Sequence, residues 1–301
     1  MKGDSLIKVG FCVAYDWQLL KTSLPLVYGS ADVICLAVDK DRHAWSGQPY
    51  AFDNDAFYRF VSQIDVDKKI LLYEDDFSLP ELNKRENCNR HRTLIAQKMG
   101  EGGWHIQVDA DEYFIDFEGF CKYLRKFNRN PRPSQKAINI CCAFVPLIKK
   151  VNEGYLYVDF KHTLPELIPM ATNRPDYQRA RQNGHFNHIA PFHVIHETWA
   201  RSEEELWFKI NHWGHASEEL EEKGKRESYF NLWKALDRNN FQYINDFHPA
   251  SPKTWPALGF AAGHEAKEFV ESISLEKFPL SPFQRAMRNN RNIARLKALL
   301  R

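Results

Sequence analysis

The chain has 301 residues, 44% of them hydrophobic and 27% charged, with 41 Lys and Arg against 39 Asp and Glu. That composition supports a large buried core and excludes a disordered chain. A formal charge of +2 gives the molecule no overall field to recruit nucleic acid, so a basic contact surface has to come from local clustering.

The six cysteines include no C-x-x-C pair and read as small buried hydrophobes in a reducing compartment. The first residues carry no signal-peptide pattern, and nowhere do about 18 apolar residues follow one another. The expectation is a cytoplasmic protein that does not span a membrane.

Leu6 to Ala14 is a nearly continuous apolar run, as expected of a central parallel strand buried on both faces. A helix opens at Tyr15-Asp16-Trp17 and runs through Leu24. Val33 to Val38 and Lys69 to Tyr73 are further strands, and helical stretches cover Asn54 to Ser62 and Asn83 to Met99. This alternation predicts βαβ units and a doubly wound sheet, with ligands at the carboxyl ends of its strands.

The next strand, from Trp104 to Val108, ends in Asp109-Ala110-Asp111-Glu112. Carboxylates at a strand end suit a hard divalent ion, which takes oxygen ligands and commonly shares them with a substrate phosphate. The simpler alternative is an acidic turn leading into the helix that starts at Asp116.

Ala137 to Leu147 and Tyr155 to Phe160 read as strands, and the proline-containing, polar Thr163 to Arg181 as a long loop that orders over substrate. His188 to Trp199 returns to strand character. Ser202 and Glu205 form a capping box for a following helix. Beyond Gly214 the pattern is helices and loops, with Ser228 to Leu236 helical and a proline-rich, aromatic interval from Phe247 to Phe260. Ser281 to Arg301 holds six cations and no acid, with Ile293, Leu296 and Leu300 at helical spacing. That is the pattern of a basic amphipathic helix on an anionic bilayer, or of a helix docked on the protein itself.

Trp104 and Asp109-Ala110-Asp111-Glu112-Tyr113-Phe114 resemble the D-W-hydrophobics-D-A-D-E-F signature of GT-A glycosyltransferases, in particular family-2-like enzymes of bacterial surface-polysaccharide synthesis. His196, Arg201, Ser202 and Lys209 resemble a second segment of the same group, H-Y-P-x-R-S-x-E-x-F-x-x-K, with Glu197-Thr198 in place of the aromatic-proline pair. The resemblance implies a GT-A (Rossmann-like) α/β domain over residues 1–215, built on a doubly wound mixed sheet, and a helical C-terminal extension over 216–301.

It implies that Asp109, Asp111 and His196 bind Mn2+ or Mg2+, and that Arg201 or Lys209 meets the diphosphate. Tyr15 would stack near the base and Asp39 would bond the base or ribose, although Asp39 also suits a turn cap. Arg85 and Arg92, on the helix before the metal-binding strand, are further candidates for the diphosphate.

The expected reaction is transfer of a sugar from a nucleotide sugar, with UDP-sugars the first choice, to a glycan or lipid-linked acceptor, with inversion. Glu197, Asp176 and Asp159 are the candidate bases, Glu197 first because it adjoins His196. A lipid-linked acceptor would place the enzyme at the inner face of the plasma membrane. Three other classes compete: a non-catalytic carbohydrate- or nucleotide-binding protein of the same fold, a nucleotidyltransferase, and a zinc site among His185, His188, His193 and His196. The second lacks its glycine-rich loop after the first strand, and the third lacks H-E-x-x-H.

Overall fold

The computed structural model describes residues 5–160, 165–212, 224–244, 257–263, 265, 266, 268, 269 and 280–294. Among them, ten strands join in one mixed sheet. Its parallel half is β1 (Ile7–Val13), β2 (Val33–Asp39), β3 (Ile70–Asp75) and β4 (Trp104–Asp109). β4 lies beside β1, β1 beside β2 and β2 beside β3, all in parallel register.

Helices cover both faces, which is why β1 and β2 are apolar almost throughout. Ile7, Val9, Phe11 and Val13 of β1 enter the main core with α1 (Leu20–Tyr28), α2 (Asn54–Ile64) and α4 (Phe117–Phe127). Cys12 faces the other side and meets Ile95 and Met99 of α3 (Lys84–Lys98) and its cap. Gly10 lets α3 come close, since a Cβ there would collide with Ile95.

The capping box on α3 is formed as Asn83 accepts from Glu86 and returns the bond through its own backbone N–H. Its buried stripe is largely polar, with Asn87, His91 and Arg92 below 4% exposed. A helix that buries polar groups against a sheet end is built for a site rather than for packing alone.

After β4 the chain turns at Ala110-Asp111 into the short β5 (Glu112–Phe114). β6 (Ile138–Val151) pairs with β8 (Leu167–Thr172), with the parallel β9 (Phe186–His196) and, across a register shift between Leu147 and Lys149, with β7 (Gly154–Val158). β9 also pairs antiparallel with β5, bringing His196 opposite Glu112.

Leu167–Thr172 does not behave as the expected substrate-ordered loop. It is a strand inserted between β4 and β6, with Met170, Ala171 and Thr172 buried. Pro169 masks it in the sequence because proline cannot donate to a ladder; the structure places it beside the register shift between Ile140 and Cys141.

The chain beyond residue 215 is not purely helical either. Leu258–Ala262 forms β10, antiparallel to β7, while α5 (Glu203–His212) and α6 (Lys225–Ala235) pack Leu206, Ile210 and Trp233 into a second core with Trp199. Part of the proline-rich interval, 247–256, lies outside the described residues.

The basic tail is not one unbroken helix. α7 (Pro282–Arg288) ends at Asn289, and a new turn starts at Arg291. The Asn289 side chain accepts from the Ile189 N–H at 2.7 Å and donates to its carbonyl at 3.0 Å, which ties the tail to β9. Arg295, Leu296, Lys297, Leu300 and Arg301 lie outside the described residues. All six cysteines are buried and free. No helix among the described residues is long and apolar enough to cross a membrane.

Candidate active site

A cleft of about 460 Å3 opens at the carboxyl ends of β1, β2 and β4, where the strand alternation placed it. Its floor holds Asp109, at the last position of β4, and Asp111, in the turn after it. Each is held by buried cations.

One guanidinium nitrogen of Arg92 bridges both oxygens of Asp109, at 2.8 and 2.9 Å, and Arg181 stands 3.5 Å away. Burial disfavours the Asp109 charge, but Arg92 and Arg181 outweigh it and keep the carboxyl below its ordinary range. Glu112, 1% exposed, pairs with Arg181 and accepts from the Asp109 N–H at 3.0 Å, which stiffens the turn.

Asp111 takes Arg201 at 2.5 Å and Lys209 at 2.7 Å on one oxygen, with His196 Nε2 3.6 Å from it. Burial again opposes ionisation, yet Lys209, His196 and Arg201 hold Asp111 well below the usual carboxylate value. Burial lowers Lys209, with Arg201 adding to the effect. Asp16, just after β1, completes the cluster at 3.0 Å from Arg201. Four acids and four cations thus share the floor, a near-neutral balance that still presents guanidinium and ammonium groups to an incoming anion.

No three His, Cys, Asp or Glu side chains converge on a common ion position among the described residues. Asp111 and His196 form the pair whose spacing suits two ligands of one ion, on an oxygen that Arg201 and Lys209 also reach. The pair's 3.6 Å separation is too long for a hydrogen bond and close to that of neighbouring ligands with metal bonds of about 2.1 Å. A hard ion needs no more than one or two carboxylates when substrate oxygens and water complete its shell. Asp109, two residues before Asp111 and paired with Arg92 through both oxygens, is the third candidate.

The β1/β2 wall of the cleft is aromatic. Tyr15 lies edge-on to Phe208 at 4.7 Å and to Tyr50 at 6.1 Å. Trp45 donates to His91 at 3.2 Å, and His91 stacks on Phe77 at 3.8 Å. Burial pushes His91 down to about 3, so it stays neutral and accepts.

Asp39 also lines this wall, but its oxygens are already filled. It accepts from the backbone N–H of Asp41, His43, Phe77 and Ser78 at 2.9 to 3.1 Å. A carboxylate offers about four acceptor positions, so Asp39 acts as the turn cap weighed against the ligand role.

The structure brings Tyr15, Asp39, Arg92, Asp109, Asp111, His196 and Lys209 to the cleft and sets Arg201 directly behind it. Arg85 is two turns nearer the start of α3 and does not line it. None of the three expected bases lines it either. Glu197 points away from His196, as neighbours along an extended chain do, and is held by Tyr113 and Tyr155; burial raises its carboxyl. Asp176 bonds Gln178 at the surface, and Asp159 follows β7.

Arg181 and Glu166 lie in the stretch read as a loop and were missed. His185, His188, His193 and His196 do not converge: His188 faces Tyr123 at 2.6 Å. No protein-family model matches the chain, and no curated protein matches it.

Proposed function

We propose that the protein is a GT-A-type glycosyltransferase that moves a sugar from a nucleoside diphosphate to a hydroxyl acceptor, inverting the anomeric centre. The observation that supports this most directly is the meeting at Asp111 of His196, Arg201 and Lys209, about 90 residues away in the sequence. Those are the residues of the second resembling segment, and they share one carboxylate with the first.

In this reading the aromatic wall of Tyr15, Trp45 and Tyr50 receives the nucleoside, and stacking holds the base. Arg92, Arg201 and Lys209 are placed to receive diphosphate oxygens, since each is buried and poised on a carboxylate it could share. A Mn2+ or Mg2+ ion held by Asp111 and His196, with Asp109, would supply counter-charge to the leaving diphosphate. UDP-sugars are the first donors to try, and glycan or lipid-linked hydroxyls the acceptors.

The deciding experiment is a screen of UDP-glucose, UDP-galactose, UDP-N-acetylglucosamine and GDP-mannose for release of nucleoside diphosphate, with Mn2+, Mg2+ or EDTA. No release from any of them would overturn the transfer reading in favour of a binding protein of the same fold. His196→Ala is expected to lower turnover mainly through metal affinity, so raising Mn2+ should restore much of it. A titration of rate against Mn2+ that shows an equal deficit at all concentrations would remove His196 from the metal.

The tail remains the candidate contact with an anionic inner membrane leaflet. α7 exposes Phe283 (72%) and Met287 (42%) one turn apart, with Arg285 and Arg288 beside them. Basic residues near an anionic surface contribute about 1 kcal/mol each. The full chain should therefore sediment with anionic liposomes at low salt, and Phe283→Ser with Met287→Ser should reduce this several-fold. Equal sedimentation of both forms would leave α7 as a cap on β9 alone.

A further inference from the structure

Five carboxylates line the cleft, and four of them are committed. Asp16 pairs with Arg201, Asp109 with Arg92, and Asp111 with Arg201 and Lys209, while Asp39 accepts four backbone amides. The fifth, Glu166, makes no hydrogen bond or ion pair through its carboxyl with any described residue. It is half-buried, and its backbone is fixed where its carbonyl accepts from the Phe144 N–H at 2.9 Å.

The sheet topology sets its position. β8 runs antiparallel to β4, so the residues entering β8 return to the end of the sheet where Asp109 and Asp111 stand. β6 is antiparallel to β8 and parallel to β9, so Phe144 and His196 reach the same end, their rings 5.1 Å apart. Glu166 therefore stands on the β6/β8 side of the two aspartates. Tyr15, Trp45 and Tyr50 belong to the opposite, β1/β2 side. A donor with its base on the aromatic wall and its diphosphate at the aspartates would carry its sugar toward Glu166.

We propose that Glu166 is the general base of the transfer, an assignment that rests on the glycosyltransferase reading. The acceptor oxygen forms its bond to the anomeric carbon as the bond from that carbon to the diphosphate oxygen breaks. The electron pair of that bond leaves with the nucleoside diphosphate, and the hydroxyl proton passes to the Glu166 carboxylate. A base has to have an oxygen free to take that proton, and committed carboxylates do not.

The test uses the full chain and whichever nucleotide sugar the wild type turns over. Glu166→Gln keeps the size of the side chain and should lower transfer about 10²- to 10⁴-fold, the range for loss of a general base. UDP affinity in Mn2+, measured by calorimetry, should stay within about twofold of wild type, since the residue touches the acceptor side. In Glu166→Ala, azide should raise sugar release well above the rate with water, because azide carries no proton to remove.

Full transfer activity in Glu166→Gln, or an equal loss of UDP binding, would overturn the assignment. So would failure of azide to accelerate Glu166→Ala. A wild type that turns over none of the nucleotide sugars would instead overturn the transfer reading, and the base with it.

Discussion

Asp111→Ala is expected to remove most nucleoside diphosphate binding and to destabilise the fold by about 3–5 kcal/mol, the usual cost of leaving a buried charge without its partner. Arg201 and Lys209 are 9% and 7% exposed, and both bond the same Asp111 oxygen. Arg201 would keep Asp16, whereas Lys209 would lose the carboxylate it bonds. Urea unfolding measures the first effect, and calorimetry with UDP, with and without Mn2+, measures the second. Asp111→Asn separates charge from volume. Equal UDP affinity in Mn2+ and in EDTA for the wild type would remove the metal from the site.

The same carboxylate makes stability depend on pH. Asp111 is held below its ordinary value of 3.8, so its contribution is complete above that value and is lost as pH falls through the depressed folded value.

Arg181→Met is the second large effect. Arg181 carries the charge of Glu112, donates to the Gln107 carbonyl at 3.1 Å and stands beside Asp109. Its loss strands an almost fully buried carboxylate under the Asp109-Asp111 turn, again at about 3–5 kcal/mol. Glu112→Met added to it removes the stranded charge and should recover a good part of that stability without recovering UDP binding. Denaturant midpoints for the two single variants and the double variant decide it. A double variant no more stable than Arg181→Met would show that the pair is not coupled.

The parallel half of the sheet was legible because β1, β2 and β4 are short, largely apolar runs, β2 and β4 ending in an aspartate, and burial on both faces leaves that trace. His196, Arg201 and Lys209 were legible as a frame, since one strand end and one helix turn deliver them together. Glu197 misled because adjacency in sequence is separation in a strand: His196 faces the cleft and Glu197 the tyrosines behind it. β8 left no readable pattern, with Pro169 inside it and polar residues on both flanks. Arg181 and Glu166 were hidden with it. Glu166 is placed by the pairing of β8 with β4 and β6, and Arg181 by its bonds to Gln107 and Glu112, and no local periodicity encodes those contacts. Asp39 was read from its place at the end of β2, but two of the four amides that fill its oxygens lie nearly 40 residues further on.

Asp39 also determines how one rim of the cleft behaves in time. Its four bonds knot the segment after β2 to the segment after β3 through a residue that is 3% exposed. The amide protons of Asp41, His43, Phe77 and Ser78 should then exchange with solvent as slowly as those of a strand, although they sit in irregular chain. That rim reaches its partner already shaped, and its ordering adds nothing to the entropy lost on association.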